Sequence, residues 1–158
     1  MIRFIADDHA AKLARWLRLL GYDTLHFREI ADARLADLAR REERVVLTRD
    51  TTLARRFPDA AVFRLEDADP FAQLAAVVRR FDLDWDRHTF TRCMVCNTPL
   101  EDVEKDSCRD RIPTEAFARC SRFARCTGCD KLYWDGTHCL RMKARIDGLK
   151  HAAAEPPA

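Results

Sequence analysis

Three aspartates and four cysteines have residue types and spacings that could do chemistry. Asp7 ends a short apolar run, Ile2 to Ala6, and Asp50 follows a second run, Val45 to Leu47, through Thr48 and Arg49. Asp32 opens a helical pattern between them. In a parallel sheet, residues just past the C-terminal ends of the strands converge on one edge. Carboxylates gathered there raise each other's pKa values unless a cation lies among them. An all-oxygen site of that kind suits magnesium or manganese, and such an ion can activate water and stabilise a phosphoryl transition state. The alternative makes Asp32 and Asp50 helix caps and Asp7 a solvated loop acid. Asp8, Glu29 and Asp37 are further acids nearby, and Thr48 could hydrogen-bond an acid or a phosphate or simply end its strand.

Cys93-x2-Cys96 and Cys126-x2-Cys129 stand 29 residues apart. Each pair can sit on a tight turn that aims two sulfurs at one point, and two such turns complete a tetrahedron around zinc. All seven cysteines lie between Cys93 and Cys139. An odd number confined to one end argues for a metal site and against a disulfide framework. With four thiolates the zinc has no open position, so its role is structural. Cys108, Cys120 and Cys139 then read as small buried residues; Cys120, Cys139 or His138 is the alternative fourth ligand.

The elements that must position these groups follow from periodicity. Leu13, Trp16, Leu17 and Leu20 recur at helical spacing, and Gly21 is a natural stop. Tyr22 to Leu25 reads as a strand, Leu35, Leu38 and Ala39 as one face of a helix, and Val45 to Leu47 as a strand covered on both sides. A short helix from Thr51 toward Phe57 and a strand over Ala60 to Leu65 follow. Asp69-Pro70 marks the start of a helix with Phe71, Leu74, Val77, Val78 and Phe81 as its stripe. Strands alternating with helices predict an α/β fold, a small parallel sheet with flanking helices. Residues 1–84 form this unit, 85–150 a cysteine-bearing domain, and the Ala- and Pro-rich 151–158 a disordered tail.

The formal charge of +2 does not by itself point to a polyanion partner. No apolar run approaches the roughly 18 residues of a membrane span, and the start lacks a signal-peptide pattern, so a cytoplasmic location is expected. Only four glycines are present and none forms a phosphate loop. The five histidines show no metal-ligand spacing, and no cysteine has the surroundings of a nucleophile.

Three blocks together resemble a known family. Lys12-Leu13-Ala14-Arg15-Trp16-Leu17-Arg18 with Leu20-Gly21-Tyr22-Asp23-Thr24 is similar to the N-terminal signature of the Mut-seven C-terminal RNase domain family. Val46-Leu47-Thr48-Arg49-Asp50 resembles its second block. Arg92-Cys93, Cys96-Asn97, Cys126 to Cys129, Tyr133-Trp134 and Gly136-Thr137-His138 resemble its zinc-ribbon block. The resemblance implies a PIN-like nuclease fold followed by a zinc ribbon, and metal-dependent hydrolysis of RNA. It carries over Asp7 and Asp50 as metal-binding acids, with Asp32 as the third. Where the family has a Gly-Met-Leu-Gly-like segment, this chain has Asp8-His9-Ala10-Ala11.

On that reading Lys12, Arg15, Arg18 and Arg49 receive the RNA backbone; the alternative for the helix residues is a solvated face. Arg109, Arg111, Arg119, Arg122 and Arg125, with Tyr133 and Trp134 as stacking surfaces or ribbon core, are a second contact region. The competing readings are an inert RNA- or protein-binding module on the same fold and a structural adaptor.

Overall fold

The computed structural model describes residues 1–86 and 88–154. The first element, β1 (Phe4–Ala6), leads through a 3-10 turn, Asp8–Ala10, into α1 (Ala11–Leu19). Then come β2 (Thr24–His26), α2 (Asp32–Arg41), β3 (Val45–Thr48), α3 (Leu53–Arg56), β4 (Val62–Arg64) and α4 (Pro70–Phe81). The four strands pair in parallel in the order β2-β1-β3-β4. The alternating pattern of the sequence is thus realised as a small α/β unit with helices on both faces.

The strands send alternate residues to opposite faces. Phe4, Ala6 and Leu47 join a core with Leu13, Leu17, Leu20, Leu74 and Val77, beneath α1 and α4. Ile5 and Val46 join Leu35, Ala39 and Leu53, beneath α2 and α3. At the end of α1, Gly21 has φ +87, and the carbonyl of His88 and the hydroxyl of Thr91 occupy the space a Cβ would need. Glycine is required here twice, for the left-handed backbone and for the close approach of the linker. At α4, Asp69 caps the amides of Phe71 and Ala72 at 3.1 and 2.9 Å, with Pro70 in the first turn, as the sequence predicts.

The second part begins after α4. Strands β5 (Leu100–Asp102), β6 (Phe123–Cys126) and β7 (Leu132–Trp134) form an antiparallel sheet in that order. A 3-10 segment, Lys105–Arg111, and α5 (Thr114–Arg119) lie between β5 and β6. Cys108 and Cys120 pack with Ile112, Phe123 and Trp134. Two of the surplus cysteines therefore serve as small core residues. The chain then turns back: α6 (Thr137–Ala154) buries Ile146 in the core of the parallel sheet, with Met142 and Leu149 against it. The segment expected as a tail is helical from His151 to Ala154, while its remainder, 155–158, lies outside the described residues. Among the described residues no helix is long and apolar enough to cross a membrane.

Candidate active site and metal centre

Order β2-β1-β3-β4 reverses direction between β1 and β3, and ligands of open α/β sheets bind outside the strand C-termini at such a point. Asp7 follows β1 and Asp50 follows β3, one on each side of it. Thr48 joins them. Its hydroxyl donates to Asp7 Oδ2 at 2.5 Å and accepts the Asp50 amide at 2.9 Å. The other Asp7 oxygen accepts the His9 amide at 3.0 Å, closing the 3-10 turn. Asp50 Oδ1 accepts the Thr52 amide at 2.7 Å and the Thr52 hydroxyl at 2.9 Å. Those two bonds hold the Asp50 carboxyl below its ordinary value against the opposing effect of burial, with the charge of Arg56 a lesser help. It is an anion at neutral pH.

Asp32 is placed differently. It is the first residue of α2 and makes no cap bond; Arg56 at the end of α3 pairs with it at 2.6 Å. Among the described residues, Asp7, Asp32 and Asp50 do not form a group with all ligand atoms within 4.8 Å. Magnesium, which keeps several waters and takes one or two protein carboxylates plus substrate phosphates, does not need a closed cage. The carboxylates of Asp7 and Asp50 are donors of that kind.

Beside Asp7 lies a cleft of about 340 Å³ lined by Asp8, His9, Ala11, His26, Arg28 and Glu29. His26 has no signal in the sequence. It ends β2 opposite Ala6, and its Nε2 is enclosed without a hydrogen-bond partner among the described residues. Burial and then the charge of Arg18 push its pKa down, opposed in part by Asp8 and Asp7. The native imidazole is neutral, so the unfolded chain takes up this proton first. Its contribution to stability is complete above about pH 6.5 and is lost as the pH falls from there toward the native value. Urea unfolding at pH 7.5 and 5.5 is expected to show a larger loss for wild type than for His26→Gln. A ring resonance titrating at or above the free-histidine value would contradict this.

The second site is built by two tight turns. The sulfurs of Cys93, Cys96, Cys126 and Cys129 all lie within 4.8 Å of one another. Cys93 and Cys129 are 3.6 Å apart, and Cys96 and Cys126 3.2 Å. Tetrahedral zinc–sulfur bonds of about 2.3 Å place sulfurs roughly 3.8 Å apart, so the cluster is close to the size the metal requires. In each turn the amide of the second cysteine points at the first sulfur, Cys96 to Cys93 at 3.5 Å and Cys129 to Cys126 at 3.4 Å. The Tyr133 hydroxyl lies 3.0 Å from the Cys93 sulfur. Donors directed at sulfur suit thiolates, and four soft donors suit zinc. Cys139 is not in this group.

The two sites are joined by residues that read as surface in the sequence. Arg18 is only 6% exposed. Its guanidinium donates to the carbonyls of Thr24 at 2.8 Å, Met94 at 3.1 Å and Val95 at 2.8 Å, the last two inside the Cys93–Cys96 turn. Burial lowers its pKa, while Cys93 and Cys96 oppose that by favouring the cation. The structure thus turns Arg18 away from solvent, where an RNA contact would need it. Lys12, Arg15 and Arg49 are exposed, as expected. In the ribbon, both aromatics are half-buried: Trp134 packs against the core cluster, and the Tyr133 hydroxyl meets the Cys93 sulfur. Arg109 lies over Phe117 at 4.3 Å, and Arg111 and Arg125 pair with Asp130. Arg119 and Arg122 are exposed.

Comparison with curated proteins returned no match, and comparison with solved structures returned none either. One family model matches, over residues 2–146, and it spans the parallel sheet, the Asp7–Thr48–Asp50 edge and the cysteine cluster: the chain belongs to the Mut7-C RNAse domain family.

Proposed function

We propose that the chain is a metal-dependent ribonuclease whose acids hold magnesium or manganese, and whose four cysteines hold a structural zinc. The observation that carries this reading is the Thr48 hydroxyl, which links the Asp7 carboxylate to the Asp50 backbone amide across the switch point. It supports two carboxyl groups being kept at one edge, where a divalent cation offsets the repulsion of neighbouring acids. Asp32 is the third acid. Its pair with Arg56 is exposed on both sides, at 40% and 50%, and such pairs are weak enough to open.

When bound, the ion supplies a water of lowered pKa and stabilises charge on the phosphoryl group. The chain's own residues do the rest. Thr48 and the His9 amide fix both oxygens of Asp7, and Thr52 fixes one oxygen of Asp50. Held in this way, the carboxylates need little reorganisation during reaction. Lys12, Arg15 and Arg49, all exposed, receive the RNA backbone through charge-assisted hydrogen bonds to phosphate. Hydrolysis leaves a 5′-phosphate and a 3′-hydroxyl.

Generic single-stranded RNA incubated with the chain is expected to be cleaved with magnesium or manganese and to stay intact with a chelator in excess. The Asp32–Arg56 pair favours a second reading, an inert module in which Arg56 takes the place of a cation. Absence of metal-dependent cleavage would select it. RNA binding retained by the Asp7→Asn/Asp50→Asn double variant would then identify an RNA-binding module, and its absence a protein adaptor.

A further inference from the structure

We propose that metal at the four cysteines orders the β2 side of the acid edge, with Arg18 and Asn97 as the positioning residues that carry the effect. The proposal rests on reading the cysteine cluster as a metal site. β2 is the outer strand of the sheet and has a ladder partner, β1, on one side only. An edge strand of three residues is weakly held by its ladder alone. Its first residue, Thr24, is instead gripped at both peptide groups, by Asn97 of the cysteine turn and by Arg18 of α1, which that turn anchors. The Thr24 amide donates to Asn97 Oδ1 at 2.9 Å, and its carbonyl accepts from Arg18 Nε at 2.8 Å.

Both gripping residues depend on the turn that carries Cys93 and Cys96. Asn97 follows the second cysteine directly, in the left-handed region at φ 74, with its amide on the Cys93 carbonyl at 2.9 Å. Its side-chain amide also donates to Asp23 at 2.8 Å. Arg18 shares its guanidinium between Thr24 and the carbonyls of Met94 and Val95. The Arg92 guanidinium meets the carbonyls of Asn97 at 2.5 Å and Gly21 at 3.4 Å, tying the turn to the end of α1.

A guanidinium this buried is tolerated only while its acceptors stay in place. The metal sets the shape of the turn that supplies two of them. Without it, four sulfurs this close have no common partner, the turn opens, and the grip on Thr24 is released. The other end of β2 is His26, opposite Ala6 and lining the cleft beside Asp7. Metal occupancy at the cysteines is thereby communicated to the edge where the carboxylates stand.

Amide hydrogen exchange on the full, zinc-loaded chain tests this. Adding a chelator is expected to speed exchange at Thr24 and Leu25 at least about tenfold, as local opening does. Val46, whose amide is held by the Ala61 carbonyl inside the sheet, and Leu47 are expected to stay protected. Asn97→Gly removes only the side chain, because glycine takes the same φ without strain. With metal still bound, it is expected to reproduce the fast exchange at Thr24, and chelation should then add little. Arg18→Gln is the second variant, with the same expectation. Bound metal whose removal leaves Thr24 unchanged would overturn the coupling alone, and so would equal acceleration at Val46 and Leu47. A wild-type chain that binds no metal at the cysteines would overturn both the coupling and the metal centre beneath it.

Discussion

Asp50→Asn is expected to lower metal-dependent RNA cleavage by at least about a hundredfold, the scale seen when one preorganised electrostatic contact is removed. Its melting temperature is expected to move by no more than about 3 °C. The two outcomes separate because the substitution keeps the shape and removes the charge. An asparagine oxygen can still accept the Thr52 amide and hydroxyl that now end on Asp50 Oδ1, and asparagine serves as well as aspartate in such turns. The anion, held ionised by those bonds, is lost. Its loss also relieves any repulsion with Asp7, whose carboxylate is tied through the Thr48 hydroxyl to the Asp50 backbone amide. Cleavage assays at fixed magnesium, run beside thermal melts, give the result. A variant that unfolds would make Asp50 a turn-former first, and one that keeps full activity would remove it from the metal site.

Cys96→Ser is expected to lose stoichiometric zinc and to unfold mainly the second half of the chain. A small sheet of three short strands, with Cys108, Ile112, Cys120 and Phe123 as its buried cluster, has little apolar area to bury. A structural zinc supplies much of the folding energy of such a unit. Serine is nearly isosteric with cysteine, but its hydroxyl is a poor replacement for a thiolate ligand. The parallel sheet keeps its own two-sided core, so its helical signal should persist in part. Losses beyond the ribbon are expected where α6 lays Ile146 into that core and where Arg18 reaches Met94 and Val95. Metal analysis and circular dichroism read both effects. Wild-type protein without zinc, or a serine variant that retains it, would falsify the assignment.

Much of the fold was legible because its signals are local. The stripes of α1 and α4, the run Val45 to Leu47 and the Asp69-Pro70 start recur as read, with ends displaced by a residue or two. The cysteine cluster was legible for the same reason: two turns of fixed spacing each aim a sulfur pair, and the four sulfurs meet at a size that suits a metal. At the acid edge, Asp7 and Asp50 follow strands that prove to be neighbours. What spacing did not reveal was Arg56, which claims Asp32 from a different helix. His26 was also silent, since nothing local distinguishes the last residue of an edge strand from any other histidine.

The amino-acid order by itself determined which segments of the first half are strands and helices, which acids end strands, and which cysteines can share an ion. Those properties are read from local patterns: apolar periodicity, the acid at a strand end, and the spacing inside each Cys-x2-Cys turn. Only the tertiary structure decided what covers each surface. Arg18 lies outside the apolar stripe of α1 and would face water on an isolated helix, yet the cysteine turn, more than 70 residues later, closes over it. A side chain's neighbours across the fold follow from packing between distant segments, and helical periodicity carries no record of the partner.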